Sequence, residues 1–187
     1  MKREVEYFEK PGPENTEACL EIMEGVVEEG YRYVVVATTS GETGLAAAKR
    51  LQGRGINLVV VTHSANFKGP NVEEISPDKR KEIESLGAKI YTGTILTHSL
   101  ETALAAKFSG VYPTTLIAQT LRRFGEGLKV CCEIVMEAVD AGLIPEGEVV
   151  VAVGGTGRGA DAVCLIKSAA SKRFLDLKVT EILAKPG

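Results

Sequence analysis

The sequence predicts an α/β fold: a three-layer α/β/α sandwich around a mixed, mostly parallel sheet. Two patterns along the 187 residues indicate it. Short runs of β-branched residues, apolar on both faces, alternate with amphipathic segments. Glycines separate these runs at most of the expected element ends. We therefore expect a single domain over residues 1–187.

The first predicted helix spans about 14–29. Its apolar residues recur at i, i+3, i+4, i+7 and i+8, namely Cys19, Ile22, Met23, Val26 and Val27. Gly30 then ends the helix. The following run, 33–37, is apolar on both faces, as a central parallel strand requires.

The next two helix and strand pairs follow the same alternation. A helix over about 42–51 precedes a second strand over 56–62. Ser76 and Pro77 are typical of a helix N-cap and first turn. The helix that they begin is followed by a short third strand over 88–91.

The second half of the chain departs from this rhythm. We interpret 94–145 as an elaborated region that covers one side of the sheet. It contains a helix over about 98–108 and a long helix from about 119 or 124 to 141. The fourth strand, 149–153, is the most apolar run. A helix over about 160–170 and an extended segment near 175–183 are predicted after it.

Composition excludes several classes of protein. Asp and Glu total 25 against 22 Lys and Arg, a net charge of −3, so the basic surface of a nucleic-acid binder is not expected. No apolar run approaches the roughly 20 residues of a membrane span, and the charged arm 1–10 differs from a signal peptide. The four cysteines have no Cys-x-x-Cys spacing, which favours buried reduced thiols over metal or disulfide sites. We expect a cytoplasmic protein with no nucleic-acid, membrane or metal partner.

Two glycine-rich loops carry the main functional signal. Each directly follows a predicted strand and precedes a predicted helix, which places small hydroxyls and unpaired amides at the carboxyl edge of the sheet. The positive end of a helix dipole there suits a phosphate, and an arginine adds a planar donor. The candidate residues are Thr39, Ser40, Gly41, Glu42, Thr43 and Gly44 in the first loop, and Gly154, Gly155, Thr156, Gly157, Arg158 and Gly159 in the second. Both loops open onto one crevice if their strands are neighbours.

Other nucleotide signatures are absent or incomplete. The P-loop pattern does not occur. Gly155, Gly157 and Ala160 fit a dinucleotide fingerprint, but no parallel strand ending in an acid follows them, which disfavours NAD. His63 and Phe67 come directly after the second strand, at the same sheet edge, and join the candidate ligand-contacting residues.

The remaining polar residues are assigned to structure. His98 is interpreted as part of a helix cap, and Glu42 as an acid favoured by the helix dipole. Arg122, Arg123 and Lys129 are interpreted as exposed surface charge, in preference to a helix start at 122–127 that offers cations and a ring to a ligand. No set of nucleophile, histidine and acid can be assembled, so catalytic residues are left unassigned.

At its two loops the chain resembles the C-terminal domain of pyruvate kinase, and more closely the stand-alone archaeal and bacterial proteins described as the pyruvate kinase alpha/beta domain. The motifs Thr-Thr-Ser-Gly-Glu-Thr-Gly at 38–44 and Gly-Gly-Thr-Gly-Arg-Gly at 154–159 carry the likeness. The resemblance implies a five-stranded sheet of order 3-2-1-4-5 with the last strand antiparallel, in which strands 1 and 4 are neighbours. It also implies that the loops bind phosphate, from a sugar bisphosphate in the kinases and from flavin mononucleotide (FMN) in the stand-alone proteins.

The leading hypothesis is a non-kinase protein that binds FMN or a similar small phosphorylated ligand. Glu42 stands where the kinase loop often has Arg or Lys, which favours one phosphate over two. The sequence has no counterpart of the catalytic barrel, so kinase activity is not expected. Two alternatives stay open: a phosphosugar isomerase-like enzyme that uses His63 or Glu42, suggested by Thr38-x-Ser40-Gly41-Glu42-Thr43, and a regulatory or assembly module. Homo-oligomer formation is left open.

Overall fold

The computed structural model describes residues 3–187 and places seven strands in one sheet. In chain order they are β1 (Glu6–Phe8), β2 (Tyr33–Thr38), β3 (Asn57–Thr62), β4 (Lys89–Thr92), β5 (Val149–Gly154), β6 (Ala162–Lys167) and β7 (Lys178–Pro186). The helices are α1 (Thr16–Glu28), α2 (Glu42–Leu51), α3 (Pro77–Ser85), α4 (Leu100–Phe108), α5 (Pro113–Leu121) and α6 (Glu126–Asp140). Across the sheet the strand order is β1-β7-β6-β5-β2-β3-β4.

The predicted α/β fold class is confirmed, but the predicted count of five strands is wrong. β2, β3, β4 and β5 are the four predicted parallel strands, and they lie in the predicted order with β2 beside β5. β1 lies in the charged arm and pairs with β7 in parallel. β6 takes the place beside β5 and pairs antiparallel with both β5 and β7.

The helix predicted over 160–170 is also wrong, because this segment forms β6. Five of the six residues of β6 are buried. Val163 and Leu165 pack on the face of the sheet that α1 covers, while Cys164 and Ile166 pack on the face that α6 covers. A short apolar run does not distinguish a strand from a buried helix by its pattern. Burial on both faces requires the strand, and pairing with β5 supplies it.

Helices cover both faces of the sheet. α1, α2 and α3 pack on one face around a cluster that includes Leu20, Met23, Val36, Ala47 and Ile83. α6 packs on the other face, where Cys131 and Val135 meet Val35 and Cys164. The result is the predicted three-layer arrangement, with the long helix α6 as the main cover of the second face.

The four cysteines are all free and buried. Burial raises the pKa of the Cys19 and Cys132 thiols to about 12, so these two stay protonated and unreactive at neutral pH. Within residues 3–187, no group of three or more His, Cys, Asp or Glu side chains is arranged to hold a metal ion. None of the described helices has both the length and the apolar composition that crossing a bilayer requires.

The elaborated region is built from α4, α5 and α6. α5 was not anticipated from the sequence, whereas α6 begins close to the second of the two predicted starts. α4 buries none of its residues, and its Leu100 side chain is 80% exposed. Glu101 of α4 accepts hydrogen bonds from the amide and hydroxyl of Thr114, which joins α5 to α4. Only α6 therefore adds substantially to the core.

The strand assignment of β6 can be tested by truncation of its central residue. Leu165 is fully buried, so Leu165→Ala should lower the free energy of unfolding by about 2–5 kcal/mol. The exposed Lys167 at the end of the same strand is the control, and Lys167→Ala should change it by no more than about 0.5 kcal/mol. Urea denaturation measures both. Equal, small effects would contradict a strand that is buried on both faces.

Candidate functional site

A cleft of about 320 Å³ opens at the carboxyl edge of the sheet, on the face that α6 covers. Ala37 at the end of β2 and Val61 of β3 line its sheet side, and Val130 and Ile134 line its helix side. Parallel strands direct their carboxyl ends to one edge, where open α/β sheets bind ligands. The volume lies at the lower end of the range of about 300–1,000 Å³ found for small-molecule sites.

The two glycine-rich loops meet at this cleft. β2 and β5 are direct neighbours, so the loops that follow them start side by side. The hydroxyl of Thr39 donates to the carbonyl oxygen of Gly157 over 3.5 Å. Thr39 lines the cleft from the first loop, and Gly155, Gly157 and Gly159 line it from the second.

The rest of the first loop does not line the cleft. Ser40 is exposed, and Gly41 has a φ of 92° with its amide bonded to the Thr38 hydroxyl at 3.1 Å. The carboxylate of Glu42 pairs with Lys79 of α3, so it is not directed at a ligand in the cleft.

Thr43 and Gly44 are buried in the first turn of α2. A Cβ at Gly44 would lie 2.5 Å from a methyl carbon of Val60, so glycine lets the helix pack closely on β3. The first amides of α2 have no intrahelical acceptor. They remain at the same sheet edge as the cleft, because α2 begins where β2 ends.

The side chain of Asp161 stabilises the second loop by hydrogen bonds to backbone amides. This carboxylate is fully buried, and its Oδ2 accepts hydrogen bonds from the amides of Thr156 at 3.1 Å and Gly12 at 3.2 Å. No partner within residues 3–187 reaches its Oδ1 atom, and burial raises the pKa of the carboxyl. Thr156 thus contributes to the fold of the loop rather than to the cleft. Gly155 admits no side chain, since a Cβ there would lie 2.5 Å from the carbonyl oxygen of Gly159.

The second loop leads into a strand, so the helix start predicted after it is missing. Instead, the first turn of α6 packs against this loop: a Cβ at Gly127 would lie 3.4 Å from the Cα of Gly155. Gly154 is the buried last residue of β5 and packs on α6, not on the cleft. Arg158 is exposed on the loop and does not line the cleft.

Three rings lie together in the cleft. The centroids of His63 and Phe67 are 4.4 Å apart, and those of Phe67 and His98 are 6.0 Å apart. Nδ1 of His63 hydrogen bonds to the Glu74 carboxylate at 2.7 Å. Burial and the nearby Lys129 lower the pKa of His98, which keeps its ring neutral near pH 7. The interpretation of His98 as a cap is wrong, because Ser99 occupies the N-cap position of α4.

A line of buried polar residues on α6 forms the remaining wall. Lys129, Glu133 and Glu137 follow one another at i, i+4 and i+8, are 2%, 5% and 3% exposed, and line the cleft. Lys129 pairs with Glu133, and Glu133 also accepts a hydrogen bond from the Thr97 amide at 2.7 Å. Burial, followed by the charge of Glu133, raises the pKa of Glu137 to about 9.

This wall was not predicted from the sequence. The interpretation of Lys129 as exposed charge is wrong, and neither Glu133 nor Glu137 was singled out. The same interpretation is wrong for Arg122, which is half-buried, lines the cleft and pairs with Glu126, whereas Arg123 is exposed as predicted. The usable signal was the four-residue spacing of charged residues on one face of an otherwise apolar helix.

Comparison with known proteins identifies the chain's relatives. A family model described as "Pyruvate kinase, alpha/beta domain" matches residues 17–166, which is most of the chain. Among solved structures, a pyruvate kinase from Cryptosporidium parvum is 15% identical with a TM-score of 0.42; the match covers 83% of this chain and 23% of that chain. The chain thus spans about a quarter of the length of that enzyme.

Two further similar structures belong to other enzymes. O-ureido-L-serine synthase is 17% identical with a TM-score of 0.32, and the match covers 70% of this chain and 48% of that chain. Diaminopropionate ammonia lyase from Escherichia coli is 17% identical with a TM-score of 0.32, over 69% of this chain and 37% of that chain.

The buried carboxyl of Glu137 should make stability depend on pH. Its pKa of about 9 in the folded chain lies above the ordinary value of 4.5, so the folded chain keeps a proton that the unfolded chain loses. The stabilisation is fully present below pH 4.5 and is lost as pH rises towards 9, by at most about 1.4 kcal/mol per pH unit.

Glu137→Gln should remove this dependence, because glutamine does not titrate. Urea denaturation at several pH values between 4.5 and about 9 measures the slope. Glu148→Gln, at an exposed position, is the control and should leave the slope as in the unmodified chain. An unchanged slope in Glu137→Gln would show that Glu137 is ionised in the folded protein.

Proposed function

We propose a function for this chain, which belongs to the pyruvate kinase alpha/beta domain family, as the match over residues 17–166 shows. The proposed function is binding of FMN or a closely similar phosphorylated ligand with a flat ring. The observation that carries the proposal is the cleft itself. Glycine-loop backbone and three rings both line it. A ligand with a phosphate and a planar ring has both kinds of surface.

The phosphate is proposed to bind where the two loops converge. Gly155, Gly157 and Gly159 let the backbone approach closely, and Thr39 adds a hydroxyl. The first turn of α2 begins at the same sheet edge and adds the positive end of its helix dipole. Arg158 does not line the cleft, but it lies between Gly157 and Gly159, which do, and we propose that its exposed side chain turns to the same oxygens as a charged, planar donor.

The ring is proposed to bind against His63, Phe67 and His98. Phe67 is 45% exposed and contacts both histidine rings, so part of its ring is accessible to a planar partner. Stacking of aromatic rings contributes about 0.5–1.5 kcal/mol beyond area burial. Ile95 and Ile134 extend the apolar lining beside them.

Catalysis is not part of this proposal. Glu42, one of the two residues on which an isomerase-like reaction would depend, is paired with Lys79 away from the cleft. The activity of whole pyruvate kinases is not carried over, because the chain spans only 23% of the pyruvate kinase that it matches.

Replacement of Arg158 tests the phosphate site. Arg158→Ala should weaken FMN binding roughly ten- to hundredfold, because a hydrogen bond to a charged group contributes about 1.5–3 kcal/mol. Binding of riboflavin, which has no phosphate, should change little. Flavin fluorescence titration measures both. Arg32→Ala, an exposed arginine at the amino end of β2, is the matched control. An equal loss for both flavins would argue against a phosphate contact.

A matched pair of glycines tests the close approach of the backbone. Gly157 and Gly53 have φ values of 76° and 74°, and a Cβ at either position would meet nothing within 4 Å. Alanine should therefore cost each a similar amount, about 1–2 kcal/mol of stability. Only Gly157 lines the cleft, so only Gly157→Ala should weaken FMN binding. Urea denaturation measures the stability of both variants, and fluorescence titration measures their affinity for FMN. An unaltered FMN affinity in Gly157→Ala would show that this loop connects two strands without contacting the ligand.

A further inference from the structure

Phosphate binding at the glycine loops does not account for the polar wall that α6 contributes to the cleft. Lys129, Glu133 and Glu137 are more than nine-tenths buried, yet all three line the cleft. Burial of charged and polar side chains costs free energy unless they find partners. Apolar residues of similar size would cover the sheet at lower cost, so the cluster points to a ligand with polar ring atoms.

Among the described residues 3–187, no Lys or Arg side chain forms an ion pair with Glu137, the third polar residue of this wall. The ammonium of Lys129 is bound to Glu133, which also holds the Thr97 amide. The other groups close to Glu137 are the acid Asp140 on α6, the backbone amide of Leu96 and the phenol of Tyr91 on β4. Two buried carboxyls that share one ammonium favour a proton on one of them. A neutral carboxyl presents one hydrogen-bond donor and one acceptor side by side.

We propose that Glu137 and Lys129 recognise the ring of the ligand by an imide edge, which is an N–H group between two carbonyls. The carboxyl O–H donates to one ring carbonyl while its C=O accepts from the ring N–H, and Lys129 donates to the second carbonyl. The inference rests on the proposed function, since the flavin ring has such an edge. Oxopyrimidine bases share this edge.

The length of the cleft favours the flavin. Glu126, beside the glycine loops, and Glu137 both line it, and along α6 they are separated by about 16 Å at the helical rise per residue. In FMN a five-carbon chain separates the ring from the phosphate, so that both ends of the cleft are within reach. A pyrimidine nucleotide has only its ribose between them.

The test compares FMN with N3-methyl-FMN, in which a methyl group replaces the imide hydrogen. In a fluorescence titration, the unmodified chain should bind the methylated flavin at least about tenfold more weakly than FMN, because the carboxyl acceptor of Glu137 is left unpaired. Glu137→Leu should lower the affinity for FMN and bring the ratio of the two affinities close to one. Glu137→Gln, which keeps a donor and an acceptor, should preserve the ratio.

Each outcome bears on the inference. Equal affinities of the unmodified chain for the two flavins would overturn it while leaving the proposed function intact, and no variant is needed for that comparison. Binding of neither flavin would overturn both. Uridine monophosphate that binds as tightly as FMN would overturn the assignment to flavins, whereas much weaker binding supports it.

Discussion

The parallel pairing of β2 with β5 is the constraint on which the cleft depends. Tyr33 to Val36 pair with Val150 to Val153 in register, so both strands end at the same level of the sheet. Two loops that are more than a hundred residues apart in the chain therefore begin side by side. The contact between Thr39 and Gly157 follows directly from this register. Any other neighbour for β5 would separate the loops and remove the shared crevice.

The antiparallel strand β6 gives the second loop its shape. Since β6 returns directly beside β5, the loop has to reverse the chain within the residues 155–161. The buried carboxylate of Asp161 holds this reversal together through the amides of Thr156 and Gly12. A charged group is costly in the core, and here it is compensated by two backbone donors and by its place beside the first turn of α6.

The glutamates of α6 also position the opposite side of the cleft. Glu133 accepts a hydrogen bond from the amide of Thr97, and the backbone amide of Leu96 lies close to Glu137. The segment between β4 and α4, which brings Ile95 and His98 to the cleft, is therefore tied to the helix that forms the facing wall. α4 itself buries none of its residues, so apart from these contacts it is held in place by the hydrogen bond between Glu101 and Thr114 of α5. Binding of a ligand between the two sides would act on the same contacts.

The sequence by itself determined the α/β class, the strands β2 to β5 and the places of the two loops, because these depend on local periodicity and on glycine at strand and helix ends. Only the tertiary structure decided that 160–170 contains a strand, since an apolar run of that length fits either a strand or a buried helix. The elements that pack beside it determine which of the two forms. The same holds for Lys129, Glu133 and Glu137. Their charge suggests exposure, and only the packing of α6 across the sheet, with the segment after β4 on its other side, buries them at a cleft. Burial of a side chain is a property of what packs against it, and that information is spread over distant parts of the chain.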